Sequence, residues 1–250
     1  MESPLVDGNK LVCTPGAKSA LVVALDKSTG ASLWKCESPF GDSSAGYSSV
    51  VISEAGGVRQ YVQLAAGGVV GVRASDGKLI WSHDKLGNNT ANIPTPVVLN
   101  DKVFSCAGYG KGAALLQLTG SSAREIYYTR EMTNKHGGLV VLGDYVYGDY
   151  DDTGRPFCAN VQTGKILWRK AERGAGRGSA AVTYADGNLY FRFYNGVMAL
   201  VKASPAGYEE AGSFKIPESG SSSWAHPVVT GGRLYLREQD SLFCYDVTQR

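Results

Sequence analysis

The sequence repeats a short pattern in which an apolar run, a turn containing Gly and a large aromatic residue follow one another. The clearest copies span residues 24–34, 72–81 and 159–168. Their Trp residues are 47 and 87 residues apart, and the longer interval is about twice a repeat of roughly forty residues. One copy without a Trp lies within the longer interval, where Tyr128 takes the aromatic position. The aromatic residues that end the copies are therefore Trp34, Trp81, Tyr128 and Trp168. A fixed internal period predicts a repeat architecture.

A second signature precedes each copy by about twenty residues and consists of a short apolar run, a tight turn and an alternating strand. Asp-Gly, Gly-Asp and Gly-Gly pairs between these runs supply the positive φ angles that hairpin turns require. Each unit therefore predicts a four-stranded antiparallel meander. Six units are visible, at approximately 2–38, 47–86, 92–131, 135–173, 178–217 and 223–250.

A twisted four-stranded sheet cannot bury both faces alone, so such sheets stack around an axis, with large aromatic residues between neighbours. We therefore predict an all-β fold, a β-propeller of about six four-stranded antiparallel blades forming a single domain over 1–250. The first strand of each unit is apolar throughout and is expected to be buried on both faces, whereas the second strand alternates. The sixth unit ends before a fourth strand, which indicates either an open ring or a piece of something longer.

Composition excludes several function classes. Lys and Arg number 25 against 23 Asp and Glu, with no basic run longer than two residues, so the sequence gives no footprint for nucleic acid. No apolar stretch approaches the roughly eighteen residues that predict a transmembrane helix. The five Cys residues show no pairing typical of a zinc site, and Cys106, Cys158 and Cys244 lie in strand-like runs where burial is expected.

The mouth of a propeller channel, lined by residues that flank the first strand of each blade, is the expected binding surface. Four of its members, Lys135, His136, Arg177 and His226, would favour an anionic ligand or an acidic segment if they converge. The full set of candidates is Tyr47, Asn92, Lys135, His136, Arg177, Trp224 and His226.

No catalytic residues are predicted. The sequence lacks the nucleophile-elbow spacing of a Ser/His/Asp enzyme, and the Gly-rich run 174–178 lacks the Lys-Ser/Thr ending of a phosphate loop. Asp149, Asp151 and Asp152 form a weak candidate metal site, because the run contains alternating acids and a Gly but lacks the distal Glu of a calcium loop. A solvated turn is the preferred interpretation of this run.

The pattern Ala-Leu-Asp-x-x-Thr-Gly-x-x-x-Trp at 24–34, with weaker copies ending at Trp81 and Trp168, resembles the PQQ-type repeat. That repeat is shared by quinoprotein alcohol dehydrogenases and by the BamB-like family of outer-membrane assembly lipoproteins. Complete members have eight blades, so the resemblance implies that this chain is an incomplete part of an eight-bladed ring. It also implies a periplasmic or other extracytoplasmic location.

The resemblance leaves two activities open. A BamB-like protein would be a non-catalytic scaffold that binds a protein partner in the cell envelope and needs no cofactor. A quinoprotein oxidoreductase would hold pyrroloquinoline quinone (PQQ) beside calcium, under a pair of adjacent cysteines that this sequence lacks. We expect the scaffold, with the oxidoreductase and a propeller that binds a small anionic or sugar ligand as alternatives. Open blade edges also predict a homodimer.

Overall fold

A computed structural model describes residues 2–217, 219–220 and 224–248. These residues form six antiparallel sheets of three or four strands, with one short 3₁₀ turn at Ala55–Gly57. Strands within each sheet follow chain order, so every sheet is a simple meander. This arrangement confirms the β-propeller fold, with six blades. Among the described residues, no helix is long and apolar enough to cross a membrane.

The chain divides into two compact units, and the first is Met1–Thr133. It contains three four-stranded sheets. The strands of the first sheet are β1 (Leu5–Asp7), β2 (Lys10–Cys13), β3 (Val22–Asp26) and β4 (Ser32–Cys36). Those of the second sheet are β5 (Val51–Ser53), β6 (Gln60–Ala65), β7 (Gly68–Arg73) and β8 (Leu79–His83). Those of the third sheet are β9 (Val97–Leu99), β10 (Lys102–Ala107), β11 (Gly112–Leu118) and β12 (Ala123–Thr129).

The second unit is Asn134–Arg250. Its first sheet, the fourth of the chain, has strands β13 (Val140–Leu142), β14 (Tyr145–Asp149), β15 (Pro156–Asn160) and β16 (Ile166–Arg169). The fifth sheet has β17 (Ala180–Ala185), β18 (Asn188–Phe193), β19 (Val197–Lys202) and β20 (Glu210–Lys215). The sixth has three described strands, β21 (Val228–Thr230), β22 (Arg233–Glu238) and β23 (Ser241–Asp246). The prediction of a single domain over 1–250 stays a prediction.

One turn recurs between the third and fourth strands. In the first sheet, the Asp26 carboxylate accepts hydrogen bonds from the N–H groups of Ser28 and Thr29, and Gly30 takes a φ of 74°. Asn160 and Gly164 repeat this arrangement in the fourth sheet, where the φ of Gly164 is 75°. Such Asx turns hold the chain in a conformation that Gly adopts without strain. All five four-stranded sheets then shift register by a β-bulge just after the turn.

The bulge places a large residue on the face that meets the next sheet of the same unit. Trp34 stacks on Tyr61 of the second sheet with ring centroids 6.0 Å apart. Trp168 donates a hydrogen bond of 2.9 Å from Nε1 to the carbonyl oxygen of Ser204 in the fifth sheet. Trp81 packs in the cluster shared by the second and third sheets. The repeat Trp residues therefore join consecutive blades.

Tyr128 does not occupy the Trp position of the third sheet. Trp34 pairs with Ala24, the last residue before the bulge, whereas the corresponding pair in the third sheet is Leu115 with Tyr127. Tyr128 lies one position further along and packs back against the cluster shared with the second sheet. The side-chain direction alternates along a strand, so this shift of one residue puts Tyr128 on the opposite face.

Burial is deepest in the second and third strands, not in the first. All six residues of β6 are buried, whereas β9 and β13 are only half-buried. A strand paired on both sides is covered by its neighbours as well as by adjacent sheets, and each first strand lies at a sheet edge. The expected burial of Cys106 and Cys158 is confirmed, whereas Cys244 is exposed and lies on β23, the last strand of its sheet within residues 224–248.

Trp168→Ala should lower the free energy of unfolding by about 3 kcal/mol, because it removes an aromatic contact between two sheets together with a hydrogen bond. Trp168→Phe should cost about 1 kcal/mol, since it keeps the packing and loses the bond to Ser204. Urea denaturation followed by circular dichroism measures both. Trp224→Ala, at a Trp with one face exposed, is the control and should cost only about 1 kcal/mol, from its ring contacts with His136 and Tyr194. Equal losses for Trp168→Ala and Trp224→Ala would contradict this packing role.

Candidate functional site

The predicted channel-mouth residues are distributed over both units. In the first unit, the N–H groups of Tyr47 and Ser48 donate to the carbonyl oxygen of Asn92 at 2.8 and 3.1 Å. The Asn92 side chain is buried and bonds to Asn88 at both ends. The Tyr47 ring is half exposed. Asn92 therefore fixes local backbone, while Tyr47 is available for contacts.

In the second unit, Lys135 forms an ion pair with Asp152. The Lys135 Nζ lies 2.8 Å from one carboxylate oxygen, and the other oxygen accepts a hydrogen bond of 2.9 Å from the Ser179 N–H. Partial burial disfavours ionisation of Asp152, but Lys135 and Ser179 outweigh it and lower the pKa of the carboxyl. Because Asp152 is charged, it offsets the positive charge of Lys135 at neutral pH.

His136, Tyr194 and Trp224 form what we call the aromatic surface. The His136 ring stacks on Trp224 at 5.2 Å and 26°, and Tyr194 lies 6.0 Å from the same indole. His136 Nδ1 is also hydrogen-bonded to Ser179 Oγ. Burial lowers the pKa of His136, and the Lys135 charge lowers it further, so the ring is neutral at pH 7. Trp224 is 54% exposed, which leaves one aromatic face open to solvent.

Arg177 and His226 complete the predicted set. Arg177 is exposed, and its backbone N–H donates to Asn195 Oδ1 at 3.1 Å. His226 is exposed and lies near the backbone of His136 and the Arg192 guanidinium. The structure thus brings His136, Trp224 and His226 together. Anion binding stays a prediction, and it is weakened because Lys135 is ion-paired and His136 is neutral.

Asp149 differs from the solvated turn that the sequence suggested. Its side chain is fully buried at the end of β14, whereas the side chain of Asp152 is about half exposed. Burial raises the pKa of Asp149 well above its usual value, opposed by the backbone N–H groups of Ala180, Gly154 and Arg155. No group of three His, Cys, Asp or Glu side chains among the described residues could hold a metal ion, so Asp149, Asp151 and Asp152 do not form one there.

A buried ion pair was missed by the sequence analysis. The Arg192 Nη2 of β18 lies 2.6 Å from Glu238 Oε2 of β22, and both side chains are at most 2% exposed. Arg192 Nη1 also donates to the carbonyl oxygen of Ala225 at 2.7 Å. The pair therefore joins the fifth and sixth sheets and holds the segment that carries Trp224 and His226. The sequence did contain an indication of this pair, since Arg192 is a charged residue between two aromatic residues of β18.

The family model described as outer membrane protein assembly factor BamB matches residues 1–170. The chain belongs to this BamB family. BamB from Moraxella catarrhalis is similar in structure, with a TM-score of 0.52 and 16% identity over 97% of this chain and 83% of that one.

Two other solved structures share the fold. The computationally designed protein Ika8 gives a TM-score of 0.69 at 12% identity, covering 97% of this chain and 70% of that chain. A europium-containing methanol dehydrogenase gives 0.60 at 14% identity, covering 93% of this chain and 60% of that one. Likeness at these identities shows the propeller fold alone. No curated protein sequence matches the chain.

The described residues do not fit a PQQ and calcium site. Calcium requires six or more oxygen ligands. Burial raises the pKa of Asp149 well above its usual value and so disfavours the charged carboxylate, and Asp152 is engaged by Lys135 and Ser179. The two cysteines nearest in sequence, Cys13 and Cys36, are far from adjacent, so a vicinal disulfide cannot form. No catalytic step through a quinone is derived from these residues.

Asp149→Asn should change how stability depends on pH. The pKa of this carboxyl is higher in the folded state than the value of about 3.9 in the unfolded chain. Its contribution to stability is therefore complete below about pH 3.9, and it is lost as the pH rises through the folded-state pKa. The variant cannot ionise at this position. Its unfolding free energy relative to wild type should therefore rise by up to about 1.4 kcal/mol per pH unit from about pH 4 upward. Urea titrations at several pH values measure this difference, and a constant difference would contradict the raised pKa.

Proposed function

We propose that this BamB-family chain is a non-catalytic scaffold that binds a protein partner, with β23 accepting an extended segment of that partner as a fourth strand. The edge of β23 carries the proposal. β23 is the third strand of its sheet, and no further strand pairs with it among residues 2–217, 219–220 and 224–248. Extended peptides add to such edges through main-chain hydrogen bonds.

The direction of the β23 backbone groups follows from one hydrogen bond. The Val247 N–H donates to the carbonyl oxygen of Gly232 at 3.0 Å, so the backbone groups of Val247 face β22. The backbone N–H and C=O groups of successive residues point to opposite sides of an antiparallel strand. Those of Leu242, Cys244 and Asp246 therefore point away from β22. The corresponding residue of the first sheet, Ala24, pairs on that side with Trp34.

The side chains on this part of the sixth sheet are apolar as well. Leu242 is 69% exposed, Val228 is 52% exposed, and Cys244 lies between them on the same face. The counterparts of Cys244 in the first and fourth sheets, Ala24 and Cys158, are completely buried. Apolar residues in positions that other blades cover are typical of an interaction surface.

The family supports the same conclusion. The matching model is named for an outer membrane protein assembly factor, and the partner would then lie in the cell envelope, outside the cytoplasm. The proposed location is periplasmic. The alternative activity, a PQQ-dependent oxidoreductase, shares the fold of the methanol dehydrogenase but lacks fitting ligands among the described residues. A second copy of the chain is the alternative occupant of the β23 edge.

A labelled peptide with the sequence of residues 162–170, which includes the fourth strand of the fourth sheet, tests strand addition. Cys244→Pro should weaken its binding at least ten-fold, about 1.4 kcal/mol, because Pro removes an outward N–H donor. Cys244→Ala keeps the donor and should bind like wild type. Fluorescence anisotropy gives the affinities.

Equal affinity of Cys244→Pro and wild type, or no binding by wild type at millimolar peptide, would contradict addition at β23. Light scattering on the same samples shows whether the β23 edge is occupied by a second copy of the chain or is available to another protein. A dimer that Cys244→Pro converts to a monomer would assign the edge to a second copy of the chain, whereas a monomeric wild type leaves it to another protein.

A further inference from the structure

Two of the repeat Trp residues, Trp34 and Trp168, contact the turn of the following blade. The ring of Trp34 lies against Gly77, where an added Cβ would come within 2.5 Å of it. Trp168 bonds to Ser204 in the turn between β19 and β20. Each indole thus fills the space between its own sheet and the third-to-fourth turn of the next sheet.

The fifth sheet has a glycine where these Trp residues stand. Residues paired directly across neighbouring strands form a row. In the first sheet one row is Val12, Ala24 and Trp34, and it ends at the residue of the fourth strand that is paired just before the bulge. The row that ends at the same place in the fifth sheet is Tyr190, Leu200 and Gly212. An added Cβ at Gly212 would meet no atom within 4 Å, and its φ lies outside the left-handed region. There is therefore space for a larger side chain at position 212, but Gly has none to fill it.

A groove of about 350 Å³ occupies the space that this glycine leaves. Its fifth-sheet wall includes Tyr190, Met198 and Phe214, and its sixth-sheet wall includes Leu234 and Val247. Val247 and Thr248 directly follow β23, and the Asp246 carboxylate accepts a hydrogen bond from the Thr248 N–H as Asp26 does from Ser28 in the first sheet. The groove is therefore the counterpart of the contacts that Trp34 and Trp168 fill in the first and fourth blades.

We infer that this groove binds a Trp side chain presented by the partner protein, in the place that Trp34 and Trp168 occupy in their own blades. The inference rests on the proposed partner-binding function and names the chemistry of a second contact. The groove favours an aromatic ring over an aliphatic one, because Phe214 and the half-buried Tyr190 line it. Tyr245 of the sixth sheet packs on Phe214 with ring centroids 5.0 Å apart. Phe214 is 40% exposed, so the groove is accessible from solvent.

The probe is acetyl-Pro-Trp-Pro-amide, compared with acetyl-Pro-Ala-Pro-amide. Proline on both sides prevents the tripeptide from adding as a strand to β23, so the measurement does not depend on strand addition. Saturation-transfer NMR on wild type should show at least ten-fold stronger binding of the Trp peptide than of the Ala peptide.

Gly212→Trp should fill the groove from within the chain. Binding of the Trp peptide should then fall at least ten-fold, and the melting temperature should rise by about 4 °C, because the new ring is buried between two sheets. Gly207→Trp is the matched control. Gly207 lies in the turn of the same blade, outside the groove, and also has open space around its Cβ. This variant should bind the Trp peptide like wild type.

Undiminished binding by Gly212→Trp, or equal binding of the two tripeptides by wild type, would overturn the inference. Cys244→Pro separates it from the proposed function, since this variant should lose strand addition and keep binding of the Trp tripeptide. Loss of both in Cys244→Pro would show that the groove does not bind independently of the β23 edge, and would likewise overturn the inference.

Discussion

The turn and bulge between the third and fourth strands are the constraint on which the blades depend. In the first and fourth sheets a Gly at positive φ and an Asx side chain close the turn. In all five four-stranded sheets a bulge follows and sets which side chain faces the next sheet. A four-stranded sheet has two faces to bury, and a large ring at this position covers part of one of them. Where Gly212 replaces the ring, the same geometry leaves a groove instead.

The local parts of this arrangement could be predicted from the sequence. Turns depend on residue types that are adjacent in the chain, so Asp-x-x-Thr-Gly and its variants locate the hairpins of the first and fourth sheets. The position of the bulge is less local, because it depends on how the fourth strand pairs. This is why Tyr128 was assigned to a place that Tyr127 occupies.

The candidate site was harder to predict because its interactions join residues that are distant in the chain. Arg192 and Glu238 are 46 residues apart and lie in different sheets. Asp149 resembles its acidic neighbours in sequence, yet it is buried beside the backbone of Ala180 in the next sheet. Residue type alone identified which positions are polar. The burial of these side chains and their contact partners could be known only from the folded structure.

The distribution of charge favours recognition through apolar and aromatic groups. Lys135 is paired with Asp152 and Arg192 with Glu238, and His136 is neutral, so Arg177 is left as the exposed cation of the predicted set. Exposed aromatic and apolar groups include Trp224 in the aromatic surface and Leu242 on the sixth sheet. Exposed aromatic and apolar side chains are common at the centres of protein interfaces.

The central proposal is that the chain binds protein segments and carries no quinone. Its most direct test is a titration of the purified chain with PQQ, with and without Ca²⁺, followed by absorbance and by thermal unfolding. The account predicts no saturable binding and no rise in melting temperature under either condition. Saturable, Ca²⁺-dependent binding accompanied by a higher melting temperature would contradict it and would assign the chain to the quinoprotein oxidoreductases.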